Sequence, residues 1–489
     1  MDNISSKMAK GAAWMVGFKI LERVIGLLST VILARLLDPG DFGLVAIANS
    51  FLGLLMLLTS FSFDVALIQK QNADRTLFDT AWTFNVVFGV MLALILTIGA
   101  MPLAQLYNEG RLENILYLLA FSTLLSGFGN IGPVAFRKEL QFHKEFYFLL
   151  AKKMMGFTVC MILAFTLRNY WALVLGTFAG RALEVLLSYC VHPYRPRFCF
   201  SGRKELFGFS MWLFINNTIF FAYHRMADFI ISKVIGSHAL GIYTVAYELS
   251  NLPTTELVAP INRAVLPGYS KMANDRDALS QGFLNVLSII ALCAVPAGVG
   301  IVLVAEPLVI VVLGEKWREV IPLMEILAMS GMLTALQTNA SVIYNALGKP
   351  RYMAAILFLH VIVIFLPLLF FFMRQDGVFG VAKAYLYSNL IIWPINYYIS
   401  MSLLKLKISK IILVLWRPFF ASAAMFLATL LIVEKLNFIN YFTTEIEILT
   451  VYIVFGILIY CICIIILWII SKRPEGAEYF LLKKLKFIK

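Results

Sequence analysis

The chain has 489 residues, of which 61% are hydrophobic and 14% are charged, and its mean hydropathy is +0.85. These proportions exclude a water-soluble globular protein and indicate an integral membrane protein. The formal net charge is +13. The basic residues behind this excess are concentrated in alternate connections between apolar segments, which is a signal of membrane topology, so we expect no nucleic acid partner.

Apolar runs of the length of a membrane span recur along the whole chain. We count about fourteen runs of the roughly 20 residues that cross about 30 Å of hydrocarbon. They lie near residues 12–34, 42–66, 79–101, 114–136, 146–167, 170–191, 207–234, 239–262, 281–305, 320–345, 352–373, 378–401, 411–433 and 446–470. The sequence therefore predicts an all-α integral membrane protein without a soluble domain.

Lysine and arginine are unevenly distributed over the connections between these spans. With the N-terminus placed in the cytoplasm, most of the 41 Lys and Arg residues fall on that side. By the positive-inside rule, an even number of spans then puts both termini in the cytoplasm. The segment "MDNISSKMAK" lacks a cleavage site, so we expect the first span to be retained. Residues 472–489 are basic and partly apolar, which predicts an amphipathic tail on the inner leaflet.

No residue pattern indicates a metal or a cofactor. The six cysteines are scattered and nearly all lie inside spans, so we expect neither disulfides nor a metal site. The five histidines show no metal-binding spacing, and no Gly-rich loop with Lys and Ser or Thr indicates ATP hydrolysis. Transport by such a chain must use an ion or proton gradient, or let its cargo equilibrate.

An internal repeat divides the chain. Residues 14–49 align without a gap to residues 212–247, so that Gly43 meets Gly241. Two lobes of six spans each have the same orientation in the membrane, as in transporters with parallel repeats, whose substrate sites lie between the lobes. The predicted divisions are an N-lobe at 1–200, a C-lobe at 201–405, two further helices at 406–471 and the tail at 472–489.

Charged side chains occur inside several predicted spans. Lys19, Glu22 and Arg23 share one face of the first span because they are three and four residues apart. A charge at a helix centre costs about 2.5 to 3.5 kcal/mol on insertion scales, so these side chains should face protein or a wet cavity. Similar groups in later spans are Arg181 with Glu184, Arg225 with Asp228 and Asn217, and Lys383.

Two interpretations of these charges stay open. In one, the cations line a central aqueous cavity; in the other, each base and acid three residues apart form an internal salt bridge. For Lys19 and Arg23 we favour the cavity, because Glu22 can compensate only one of them. Glu256 is a candidate for ion coupling, since Pro253 and Pro260 break the helix around it and free backbone carbonyls. The alternative is a hydrated Glu256 near the cytoplasmic end.

The stretch "ILARLLDPGDFGLVAIANSFLGLLMLLTSFSFDVALIQKQ", followed by "FDTAWTFNVVFGVMLALIL", resembles a known family. It is similar to polysaccharide-exporter members, the Wzx-type flippases, of the multidrug/oligosaccharidyl-lipid/polysaccharide (MOP) superfamily. The resemblance implies a V-shaped pair of six-helix lobes plus two C-terminal helices. It also implies export of undecaprenyl-diphosphate-linked oligosaccharides across the bacterial inner membrane, for O-antigen, capsule or exopolysaccharide synthesis, by a monomer that is not an enzyme.

The resemblance also implies partners and roles for the charged residues. The partners are the lipid-linked oligosaccharide, membrane lipids, a polysaccharide polymerase and chain-length proteins. The residues expected to line a cavity for the diphosphate and saccharide are Lys19, Arg23, Arg181, Arg225, Lys383 and Asn217. The residues expected to act as charge partners or in ion coupling are Glu22, Glu184, Asp228 and Glu256.

Three other functions are alternatives for a chain of this composition. A multidrug cation antiporter of the same superfamily would favour a cavity rich in acids, whereas the charged spans here carry a surplus of cations. A flippase for another lipid-linked envelope precursor fits the charge equally well. A membrane glycosyltransferase or polymerase would need catalytic acids in an external loop. Asp38 and Asp41 flank a Pro-Gly turn, and Asp41 is placed to cap the next helix instead.

Overall fold

The computed structural model describes residues 2–57, 74–139, 141–201, 225–252, 258–435 and 444–474, together with residues 63, 67, 476, 478 and 479. All regular secondary structure in these ranges is helical. Within them, nine helices are long and apolar enough to cross a membrane. The predicted all-α membrane fold is confirmed, whereas the number of about 14 spans stays a prediction.

The chain divides into two compact units, residues 1–241 and 242–489. The helices of the first unit are α1 Asp2–Leu36, α2 Pro39–Leu57, α3 Arg75–Leu106, α4 Arg111–Gly127, α5 Val134–Lys138, α6 Phe142–Leu167, α7 Trp171–Val191 and α8 225–234. Because residues 202–224 lie outside the described ranges, the predicted lobe boundary at residue 200 stays a prediction.

The second unit contains most of α9 Ser237–Ser250, which begins before the division, and all the helices that follow. These are α10 Ala259–Met272, α11 Arg276–Val312, the 3₁₀ turn Glu315–Trp317, α12 Val320–Ala346, α13 Pro350–Phe358, the π-helical segment Leu359–Phe365, α14 Leu366–Leu404, α15 Ile408–Lys435 and α16 Glu445–Ile470. The predicted spans at 320–345 and 446–470 agree with α12 and α16 to within one residue.

Glycines set the distance between α6 and α7. Gly176 and Gly180 are one turn apart on α7, and small residues at this spacing let membrane helices approach closely. A Cβ added at Gly176 would lie 2.5 Å from the Cys160 Cβ, and one added at Gly180 would lie 3.1 Å from the Lys152 carbonyl oxygen. The two backbones therefore touch along the face that carries Lys152 and Gly156.

The chain reverses direction inside α14. Gly377 has φ of 57° and ψ of −128°, values that a residue with a side chain rarely adopts. The Phe372 and Tyr387 rings stack across the turn with centroids 5.1 Å apart. The two arms are the predicted spans 352–373 and 378–401, joined by a tight turn.

Buried polar side chains join α12 and α14 in the second unit. Asn389 Nδ2 donates to Ser330 Oγ at 3.0 Å, and Gln337 Nε2 donates to Asn389 Oδ1 at 3.1 Å. Two turns further, the Tyr344 hydroxyl donates to Asn396 Oδ1 at 2.6 Å. Interhelical hydrogen bonds of this kind stabilise helix packing in a membrane, where apolar side chains gain nothing by leaving lipid.

After α16 the chain folds back onto the second unit. Trp468 Nε1 donates to the Pro474 carbonyl at 3.1 Å, and Glu478 Oε1 lies 3.1 Å from Arg417 Nη1 on α15. Both charged side chains are almost completely buried. The beginning of the predicted tail thus packs against protein, and residues 480–489 lie outside the described residues.

Candidate functional site

A cavity of about 450 Å³ lies between α1, α6 and α7 in the first unit. We call it the basic cavity, because the charged side chains among its described lining residues are Lys152, Lys153 and Arg181. Ser29 and Thr177 add hydroxyl groups to its wall. Lys152 lies ten residues after the start of α6, and Arg181 ten residues after the start of α7, which places both about 15 Å along their helices.

A second cavity of about 590 Å³ lies among α3, α4, α6 and α7. We call it the polar cavity, because polar side chains line it together with aromatic rings. The polar lining residues are Asn85, Ser126, Asn130, Glu145, Glu184 and Ser188, and the aromatic ones are Phe63, Phe136 and Phe148. Amides, hydroxyls and carboxylates next to aromatic faces can hold a polyhydroxylated ligand by hydrogen bonds and stacking.

An ion pair joins the two cavity walls. Lys152 Nζ lies 2.6 Å from Glu184 Oε2, and both side chains are partly exposed. Glu184 is one turn beyond Gly180 on α7, so the close glycine contact with α6 brings the two charges together. Lys152 lines the basic cavity and Glu184 lines the polar cavity.

The salt bridge of Arg181 with Glu184, one of the two interpretations that the sequence leaves open, is not among the ion pairs of the described residues. Glu184 pairs with Lys152 instead, and Arg181 Nη1 donates to Ser122 Oγ on α4 at 3.4 Å. Sequence reasoning passed over Lys152 and Lys153, although two lysines inside the predicted span 146–167 were a usable signal.

Lys19, Glu22 and Arg23 of α1 are not among the described residues that line either cavity. Lys19 Nζ pairs with Glu22 Oε2 at 2.7 Å, with the lysine side chain 65% exposed. Arg23 is half-buried. From α1, the described residues that line the basic cavity are Ser29 and Leu33, which continue the same helical face toward the C-terminus. Arg23 is therefore about 9 Å from Ser29 along the helix axis.

Arg225 and Asp228 belong to a contact between α8 and α2. Arg225 Nη1 lies 2.9 Å from Asp228 Oδ2, and Ser50 Oγ on α2 donates to the same oxygen at 3.2 Å. Asp228 is buried, whereas Arg225 is half-exposed. The Phe51 and Phe229 rings pack edge to face beside them at 5.3 Å. This geometry agrees with the internal salt bridge interpretation for this pair.

Lys383 lies in the second unit and has a partner that sequence reasoning did not name. Its Nζ is 2.6 Å from Asp376 Oδ2, across the turn at Gly377. The remaining two predicted site residues, Asn217 and Glu256, lie outside the described residues. The structure thus groups Arg181 and Glu184 with two lysines around the cavities, and it places the other described candidates in separate contacts.

The long apolar helices and the cavities inside the first unit define a multi-pass membrane protein with polar, cation-lined interior surfaces. The chain belongs to the family described as "Polysaccharide biosynthesis protein", which matches residues 32–322.

Curated relatives and a solved structure agree with this assignment. The chain is 24% identical to the lipopolysaccharide biosynthesis protein WzxC of Escherichia coli (strain K12), over 86% of each chain. It is 24% identical to the teichuronic acid biosynthesis protein TuaB of Bacillus subtilis (strain 168), over 87% of this chain and 89% of that protein. The structure of the lipid II flippase MurJ in an inward closed conformation superposes with a TM-score of 0.74 at 15% identity, covering 94% of this chain and 100% of that one. This last likeness shows the fold.

Proposed function

We propose that the protein is a flippase that moves undecaprenyl-diphosphate-linked oligosaccharides across the bacterial inner membrane. Its family is that of polysaccharide biosynthesis proteins, and its relatives act in lipopolysaccharide and teichuronic acid biosynthesis. The fold is similar to that of a lipid II flippase. The observation that carries the proposal is the basic cavity, in which Lys152, Lys153 and Arg181 meet inside apolar helices.

Electrostatics explains why a lipid diphosphate suits this cavity. A cation at the centre of a membrane helix costs about 2.5 to 3.5 kcal/mol, so three of them together need anionic ligands or partners. Glu184 compensates one of the three through its ion pair with Lys152. Phosphate oxygens can take the remaining positions, because arginine binds them bidentately and lysine acts as a point charge.

The polar cavity is the proposed place of the sugars. Its wall offers the Asn85 amide, the Ser126 hydroxyl and three phenylalanine rings. We place the diphosphate in the basic cavity and the saccharide in the polar cavity, on the two sides of the Lys152–Glu184 pair, while the polyprenyl chain stays in lipid.

The other candidates have secondary roles in this proposal. We assign the remaining cations to raising the electrostatic potential along the path of the cargo. We assign the remaining polar and acidic residues to sugar binding, charge balance or coupling of transport to an ion. These residues are Lys19, Arg23, Arg225 and Lys383 for the potential, Asn217 for sugar, and Glu22, Asp228 and Glu256 for charge balance or coupling. In this proposal both termini lie in the cytoplasm, and the cargo is loaded from that side. Alternating access of the two lobes releases it on the outer side. A polymerase and chain-length proteins receive it there.

Complementation of a flippase-null strain tests the proposal. Lys152→Ala and Arg181→Ala should each reduce polymer export strongly, because each removes a phosphate ligand; membrane levels are checked by blot. Arg318→Ala is the matched control, since its guanidinium pairs with Glu315 in a connection far along the chain. Full polymer export by both Lys152→Ala and Arg181→Ala would contradict the assignment of the basic cavity as the diphosphate site.

Two assays separate the alternatives. A saccharide flippase should show no gradient-driven efflux of a fluorescent cationic dye, whereas a multidrug antiporter exports it. Rescue of cells depleted of their lipid II flippase would assign the chain to a peptidoglycan precursor instead, since the diphosphate chemistry is shared.

A further inference from the structure

The wall between the two cavities contains a single ion pair among the described residues. Lys152 points its Nζ to Glu184 Oε2 at 2.6 Å, with side-chain exposures of 36% and 31%. Each member lines a different cavity. A ligand that enters either cavity therefore reaches one member of the pair.

We infer that Glu184 is an internal counter-ion that competes with the cargo diphosphate for Lys152. This inference rests on the proposed function. A lysine ammonium has three donors and no acceptor, and carboxylate and phosphate oxygens are both charge-assisted acceptors for it. In the empty state Lys152 pairs with Glu184, and in the loaded state it pairs with a phosphate of the cargo. Lys152 therefore has an anionic partner in both states.

The charges of the described cavity residues agree with this role. Lys152, Lys153 and Arg181 carry three positive charges, and Glu184 reduces their sum to two. A diphosphate esterified on both sides has one ionised oxygen on each phosphate, so the loaded site becomes neutral. Without Glu184 the site would hold a surplus cation after loading, which favours retention of the cargo over release.

A purely structural role for the pair explains less. The contact of α6 with α7 is made by Gly176 and Gly180, whose missing side chains let the backbones touch. Ion pairs with partly exposed side chains contribute little to stability. The pair is therefore free to exchange partners without separating the helices.

Binding of inorganic pyrophosphate to the purified full-length protein tests the inference by isothermal titration calorimetry. Glu184→Gln removes the competitor and keeps the shape, so its dissociation constant should fall by about tenfold, equivalent to about 1.4 kcal/mol. Lys152→Gln should weaken binding, and the gain from Glu184→Gln should be clearly smaller in the Lys152→Gln background than in the wild type, because Glu184 competes with the ligand mainly at Lys152.

Control variants keep the test decisive. Glu113→Gln makes the same charge change in the first turn of α4, where Glu113 accepts from the Tyr117 hydroxyl, and it should bind like the wild type. Glu184→Asp, whose shorter side chain weakens the pair, should give an intermediate gain. Melting temperatures verify that each variant is folded.

Two outcomes contradict different parts of the account. In the first, Glu184→Gln and Glu184→Asp bind pyrophosphate no more tightly than the wild type, while Arg181→Gln weakens binding. This result would contradict the role of Glu184 as a counter-ion but would support the basic cavity as the diphosphate site. If Arg181→Gln, Lys152→Gln and Glu184→Gln all bind like the wild type, the basic cavity of the proposed function falls as well.

Discussion

Arg417 on α15 and Glu478 beyond α16 bring opposite charges into an almost closed site. Their side chains are 5% and 6% exposed, with Nη1 and Oε1 3.1 Å apart. Each charge has lost its hydration, and the partner compensates for that loss. Together with the Trp468–Pro474 hydrogen bond, this contact holds the segment after the last helix on the body of the second unit.

Removal of the carboxylate charge should destabilise the protein. Glu478→Gln leaves Arg417 buried without a counter-ion, and we expect a loss of about 3 to 5 kcal/mol in the free energy of unfolding. Thermal denaturation in detergent measures the loss as a lower melting temperature. The double variant Arg417→Met with Glu478→Met should recover most of it, because well-packed apolar residues need no counter-ion. An unchanged melting temperature for Glu478→Gln would disprove the role of the pair.

Partners of single residues were the hardest feature to predict from sequence. Spacing offered Lys19 with Glu22 and Arg225 with Asp228 as salt bridges in one of two open interpretations, and the structure contains both pairs, each one turn apart on one helix. For Glu184 the same spacing offered Arg181, whereas the structure pairs Glu184 with Lys152 on the neighbouring helix. A charged side chain on a helix can pair with a residue on the next turn of the same helix or with a residue on the facing helix. Which partner it takes depends on how the two helices pack.

At the scale of elements, the glycine contact between α6 and α7 positions the charged residues. A side chain at Gly180 would meet the Lys152 carbonyl, which is backbone and cannot move aside cheaply. Gly180→Leu should therefore separate the helices, at a cost of about 1 to 3 kcal/mol, and should reduce polymer export by pulling Lys152 away from Glu184. Complementation and melting temperature measure both effects.

Gly300→Leu is the control for this prediction. Gly300 lies inside α11, and nothing lies within 4 Å of a Cβ added there. This variant should keep both export and stability. Equal behaviour of the two leucine variants would show that the glycine contact does not position the site.

The positions of α7 and α16, in contrast, followed from the sequence. Apolar runs predicted α7 at 170–191 and α16 at 446–470, and the structure gives Trp171–Val191 and Glu445–Ile470. A membrane helix must satisfy its own backbone hydrogen bonds and match the bilayer thickness, so length and hydropathy suffice to locate it. The Asn389 and Tyr344 networks carry no such signal, because isolated polar residues in a span do not reveal which helix they face.

At the scale of the whole molecule, the orientation in the membrane is a prediction that Cys199 can test. The non-helical segment 192–200 is anchored on α3, where Thr83 Oγ1 accepts from the Cys199 amide at 2.9 Å. The positive-inside rule places this segment in the cytoplasm. A variant with Cys199 as its single cysteine should react with a membrane-impermeant maleimide in inverted vesicles and not in intact cells.

The pH dependence of this labelling provides a second readout. A hydrogen bond with the Ser201 side chain, at 3.1 Å, lowers the pKa of the Cys199 thiol below its usual value. Because the thiolate reacts with maleimide, the labelling rate should rise at lower pH than for an ordinary thiol. Arg111→Cys in a cysteine-free background, placed in a predicted outer connection, should be labelled in intact cells. The reverse pattern of labelling would invert the orientation.

Transport by the reconstituted protein tests the central claim most directly. Proteoliposomes that contain undecaprenyl-diphosphate-linked oligosaccharide are assayed for movement of the head group between leaflets, with wild type, Arg318→Ala and the double variant Lys152→Gln with Arg181→Gln. We predict that wild type and Arg318→Ala move the lipid, and that the double variant is slower by at least about tenfold, equivalent to about 1.4 kcal/mol. Equal rates for the double variant and the wild type would contradict a diphosphate site in the basic cavity.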